Sequence, residues 1–200
     1  MRSLEPIPGD PWPQDMVLTI ETTSGSLTYL LFVRTAWQLE IDTVPALESE
    51  PSIGDSGRPA DRDVDAARAQ WLVEWNRAWT HFEPRRQAIT MPDAETQHLL
   101  DTLTDEELQT AMSTQPSSYW EAGIDHRAYS AWHRLLQPAI EDSPENLVLP
   151  ALIPAWESGL STIIQLPYRG YFAERINRAH LVVSAATRRD PTLFDRALRS

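Results

Sequence analysis

The chain of 200 residues contains no cysteine, and its 17 basic side chains are all arginine, with no lysine. Without cysteine there is no disulfide framework, no thiolate zinc site and no cysteine nucleophile. Without lysine there is no P-loop, no Schiff-base amine and no Ser–Lys dyad. The seven glycines, at positions 9, 25, 54, 57, 123, 159 and 170, allow no G-x-G-x-x-G dinucleotide fingerprint. A G-x-S-x-G nucleophile elbow is absent too; the stretch from Glu157 to Ser161 does not supply one. Long hydrophobic runs are also missing. The longest weakly charged stretch, Asn146 to Tyr168, is broken by Pro150, Pro154, Glu157 and Pro167, so no bilayer span is expected. The first fifteen residues lack an apolar signal region, so a cytoplasmic protein is expected.

Acid is abundant. There are 29 Asp and Glu residues, for a formal net charge of −12. The balance is uneven along the chain. Residues 1–60 hold 9 acids and 3 arginines (−6), residues 61–150 hold 16 and 7 (−9), and residues 151–200 hold 4 and 7 (+3). Only the last quarter should attract an anion. A strongly acidic surface repels phosphate backbones, so nucleic acid is not an expected partner. Arginine without lysine fits a GC-rich genome.

The length suits one domain with a sizeable core. Residues 1–15, with Pro6, Pro8, Pro11 and Pro13, read as an extended arm. Residues 16–23 read as a strand, Ser24-Gly25 as a tight turn, and Ser26 to Asp42 as a second, longer strand, making an N-terminal hairpin. Residues 45–62, rich in proline and glycine, read as a mobile loop. Asp63 should cap a helix from Val64 to about Phe82 that places Trp71, Trp75 and Trp79 on its core face. Short helices follow at about 92–103 and 104–112. A longer helix is expected from Ser117 or Ser118 to Gln137, striped by Trp120, Ile124, Ala128, Ala131, Trp132 and Leu135. Residues 144–156 suit a helix disturbed by Pro150 and Pro154. Strands at 160–166 and 180–187 flank a connection at 168–179 that is irregular or helical, and Asp190-Pro191 opens a last helix. Together these predict a single α+β domain over residues 16–200. One mixed or antiparallel sheet would join N-terminal and C-terminal strand pairs, with the central helices packed on it.

Two clusters carry possible chemistry. Glu121, Asp125, His126 and His133 would share a helix face and could hold a metal or a proton, but their spacing matches no recognised metal motif. The second cluster is Arg169, Tyr171, Glu174, Arg175, Arg178 and His180, in which guanidinium groups alternate with aromatic rings. Such a loop suits phosphate or carboxylate, with Gly170 permitting close approach. The functional expectation is a non-catalytic binding or accessory protein. It would use these six residues to contact a small anionic ligand or a protein partner, with no cofactor and no metal. The alternative is a small hydrolase or transferase in which His180 or His126 is the base and arginines hold an anionic substrate.

Overall fold

In the computed structural model, residues 12–22, 24–80, 82, 118–137 and 143–200 are described. The expected helices at 92–103 and 104–112, and residues 1–11 of the arm, lie outside the described residues. The rest form a single α+β domain of six α-helices and one four-stranded mixed sheet.

The sheet is built on two apolar strands, β2 (Thr162–Leu166) and β4 (His180–Ser184). Both read as nearly continuous runs of Ile, Leu and Val, the pattern of parallel strands covered on both faces. They pair in parallel, with Ile163 opposite Leu181 and Ile164 opposite Val182. A short strand β1 (Thr19–Glu21) runs parallel along the outer side of β2. Another, β3 (Ala173–Arg175), runs antiparallel along β4, giving the order β1-β2-β4-β3. One strand therefore comes from the N-terminal region and three from the C-terminal quarter. The expected N-terminal hairpin does not form.

Its second arm is a helix instead: α1 covers Gly25–Ala36, and Leu27, Leu30, Leu31, Phe32 and Val33 are all buried. A nearly unbroken apolar run such as Leu27 to Val33 does not by itself distinguish a buried strand from a helix buried all round, and tertiary burial selects the helix here. Thr28 stabilises the first turn by donating its hydroxyl to the Ser24 carbonyl at 2.9 Å. The segment after it is pinned by Arg34, which donates to the carbonyls of Val44 and Pro45.

Helix α2 (Val64–Thr80) forms as expected, with the Asp63 carboxylate accepting from the Ala66 N–H at 2.9 Å. Trp71 and Trp75 stack at 4.9 Å and are buried, while Trp79 is half-buried at the end of the row. The Trp71 indole donates to the Leu30 carbonyl at 2.7 Å, tying α2 to α1. The tryptophan face is core.

The expected helix at 117–137 is interrupted. A 3-10 turn at Ser118–Trp120 is followed by an irregular bend, and α3 covers only His126–Leu135. Gly123 causes the break: its φ of +83° is left-handed, and a Cβ there would run into the Gly57 carbonyl oxygen. The bend carries the loop at 45–62, through Gly57 N–H to the Gly123 carbonyl (2.8 Å) and Asp125 N–H to the Ser56 hydroxyl (2.8 Å).

Toward the C-terminus, a 3-10 turn at Pro144–Leu147 leads into α4 (Leu149–Glu157), with Pro150 in its first turn and Pro154 inside. The strand expected over 180–187 ends at Ser184. That side chain caps α5 (Ala185–Arg189) through the Thr187 N–H, and Asp190 then caps α6 (Pro191–Leu198). Helices cover both faces of the sheet. Ile164, Leu166 and Val182 face the cluster of α1, α2 and α3, whereas Ile163, Leu181 and Val183 face α4 and α6.

Candidate functional site

A cleft of about 650 Å³ opens where the parallel strands end. Thr22 follows β1, Gln165 and Pro167 close β2, and Ala185, Arg188 and Arg189 follow β4. In open sheets with parallel strands, the crevice beyond the carboxyl ends is where ligands bind. The volume falls within the usual range for small-molecule sites. One wall is α3, which presents Ala128, Ala131, Trp132, Leu135 and Leu136. Trp132 is buried, but Leu135 is 82% exposed, so the apolar stripe turns from the core into the cleft. The segment Glu48, Ser49, Glu50 and Ser52 adds a polar rim.

The floor is a buried polar network. Arg188, 6% exposed, forms a two-pronged ion pair with Glu145, Nε to Oε1 at 2.7 Å and Nη2 to Oε2 at 3.1 Å. Its Nη1 donates to Gln165 Oε1 at 3.0 Å. A guanidinium has five N–H donors and no acceptor, so only the amide oxygen of Gln165 can face it. The amide orientation follows from this: the NH2 end must point away. Gln165 is 9% exposed and lines the cleft, and its NH2 donates to no described residue. Glu145 orients Arg188, Arg188 orients Gln165, and Gln165 presents two N–H donors. On the rim, Arg189 Nη2 meets Glu48 Oε1 at 2.6 Å, and Glu50 Oε2 accepts from the Thr35 hydroxyl at 3.1 Å.

None of the six loop residues expected at a site lines this cleft. The antiparallel register sends them to opposite ends of the sheet. Ala173 lies opposite Val183 and Arg175 opposite Leu181. Arg169 and Tyr171 therefore lie at the Ser184 end, where the Ser184 hydroxyl bonds the Gly170 carbonyl and Arg196 stacks over the Tyr171 ring at 4.7 Å. Arg178 and His180 lie at the other end, roughly 13 Å away at the usual rise per strand residue. There Arg178 Nε donates to the Ser158 carbonyl, Arg175 Nη1 to the Arg178 carbonyl (3.2 Å), and the His180 ring meets Asn177 Oδ1 at 2.9 Å. Glu174 stands exposed on β3 between the two groups. The loop folds as an edge strand, with Arg169 and Tyr171 toward one end and Arg175, Arg178 and His180 toward the other.

The histidine–carboxylate cluster is dispersed as well. Glu121 lies ahead of α3, in the bend. Asp125 is the cap of α3, its carboxylate accepting from Arg127 N–H (2.9 Å) and Ala128 N–H (3.2 Å), which holds its pKa below the ordinary value. His126 and His133 line an open groove along α3 with Arg127 and Arg134. No group of three or more metal-ligating side chains forms among the described residues. Among those residues, no helix is long and apolar enough to cross a membrane.

Arg188 and Arg189 directly follow the strand expected at 180–187, and the sequence carries no sign of their role. Arg188 and Glu145 are 43 residues apart, and nothing local to either signals the pair. No family model, curated protein or solved structure matches this chain.

Proposed function

We propose that the protein is a binding or accessory protein that takes a small organic ligand into the cleft beyond the strand ends. The observation that carries this reading is the Glu145–Arg188–Gln165 relay, which holds a donor group in fixed orientation at the floor of the cleft. Fixed donors at the bottom of an apolar-walled concavity are what a binding site needs and what a packing interface does not. Among the described residues, the cleft lining carries carboxylates and arginines and no histidine.

The test is a fragment screen read by saturation-transfer NMR on the wild type and on Leu135→Arg. Leu135 is solvent-exposed on the cleft wall, so the substitution fills the cleft without disturbing the core. Fragments that bind the wild type should lose their signal in L135R. If the same fragments bind both proteins equally, the cleft is not the site.

A second reading keeps the C-terminal loop as the contact for an anionic ligand or a protein partner. It is favoured by the buried Arg175 Nε, which has no hydrogen-bond partner, and by the local charge of +3 over residues 151–200. Reversing Arg169, Arg175 and Arg178 to glutamate should then abolish partner capture while circular dichroism stays unchanged. Retained capture rejects it.

A further inference from the structure

We infer that the cleft selects an uncharged carboxamide attached to an apolar body, and discriminates against the matching carboxylate. The inference deepens the cleft-binding reading above and rests on it.

Gln165 is about nine-tenths buried, its oxygen is committed to Arg188, and its NH2 is left to whatever enters the cleft. An NH2 group demands an acceptor, so the ligand must bring a carbonyl or a carboxylate oxygen. Charge decides between them. The Arg188 guanidinium is already neutralised by the two oxygens of Glu145, and Arg189 is paired with Glu48. Glu50 adds a further negative charge with a hydroxyl, not a cation, on its oxygen. Among the described lining residues, Glu48 and Glu50 balance Arg188 and Arg189, and Glu145 beneath them already occupies the Arg188 guanidinium, within a molecule of −12. An entering carboxylate would share one buried guanidinium with Glu145, and two anions on a single cation in a poorly hydrated site are unfavourable. A neutral carbonyl satisfies Gln165 without that cost.

The amide nitrogen has its own complement. The carboxylates of Glu48 and Glu50 also line the cleft and can accept N–H donors. An amide thus offers an acceptor to the floor and donors to the rim, a polarity that an ester or ketone cannot match. Its apolar body would lie against Trp132 and Leu135.

The experiment uses three matched probes, 4-phenylbutanamide, 4-phenylbutanoate and 4-phenylbutan-1-ol. Each is titrated into the full chain and followed by saturation-transfer NMR, on wild type, Gln165→Leu and Leu135→Arg. The amide should bind in the millimolar range expected of a fragment. It should bind at least tenfold tighter than the carboxylate, and lose about tenfold or more in Gln165→Leu. Carboxylate binding equal to or tighter than the amide, with all probes lost in L135R, overturns the head-group assignment and leaves the cleft as a site. Amide binding unaltered in Gln165→Leu also overturns it. Absence of binding by every probe, or binding unaltered in L135R, overturns the cleft reading itself. Melting curves of the variants identify any loss that comes from unfolding, and Gln165→Asn, which keeps the amide but shortens it, then replaces the leucine variant under the same criteria.

Discussion

A guanidinium and a carboxylate taken out of water together lose several kcal/mol of hydration each, and their attraction repays this only when the geometry is good. Arg188 and Glu145 meet that condition with two short bonds and a third to Gln165. Removing one partner leaves the other charged and buried, so Glu145→Leu should lower unfolding free energy by about 3–5 kcal/mol, and Arg188→Leu by a similar amount. The double variant should lose far less than the sum, because two apolar side chains leave no charge stranded. Urea unfolding midpoints of the four proteins check this. Additive losses would mean that the two residues do not act as a pair. At this scale the sequence was only partly legible. The helix caps Asp63 and Asp190 and the buried Trp71 and Trp75 can be read from local spacing. The relay under the cleft cannot, because it joins three segments that folding alone brings together.

Elements were legible where their signals were unambiguous. Helix α2 has a capping aspartate and a helical apolar period, and β2 and β4 are short apolar runs bounded by turn residues. Within the region 26–42, residues 27–33 are nearly all apolar, so the helical and extended periods cannot be told apart there, and tertiary burial chose α1. The expected helix from 117 failed at Gly123, whose left-handed conformation is imposed by close approach to Gly57, a contact remote in sequence. The true start of α3 therefore falls at Asp125, with a pH-dependent consequence. The backbone N–H groups of Ala128, Arg127 and Asp55 favour the ionised carboxylate, so the folded-state pKa lies below the unfolded one. Its contribution to stability is present above the unfolded pKa and is lost as pH falls through the depressed value. Asp125→Asn keeps a capping oxygen without a titrating group. Near neutrality this variant should unfold close to the wild type, and between about pH 5 and pH 2 it should lose less stability than the wild type. Urea midpoints across that range test the point, and parallel acid limbs would remove Asp125 from the account.

For the whole molecule, the change of charge sign along the chain has a structural meaning. The mildly basic last quarter contributes β2, β4 and β3, the centre and one edge of the sheet, while the acidic segments supply helices and loops packed around them. Arg188 and Arg189 each pair with an acid from those earlier segments, Glu145 and Glu48. Part of the apparent anion-attracting character is thus spent inside the fold. These attractions oppose a general repulsion among the remaining acids, and salt tells the two apart. The Arg188–Glu145 pair is buried and little screened, whereas Arg189–Glu48 and Arg199–Asp195 are exposed, screened by salt and contribute little. The repulsion arises from a net charge of −12 spread over the surface, and it is screened over a Debye length of about 10 Å at 0.1 M salt. Relief of repulsion should therefore outweigh the weakening of the exposed pairs. The melting temperature at pH 7 should rise by roughly 2–4 °C between about 10 mM and about 300 mM sodium chloride, equivalent to about 1 kcal/mol for a chain of this length. Calorimetry at several salt concentrations measures it directly. A melting temperature that falls with salt would show that the pairing between the basic quarter and its acidic surroundings is the stronger term, and that the exposed ion pairs hold the segments together.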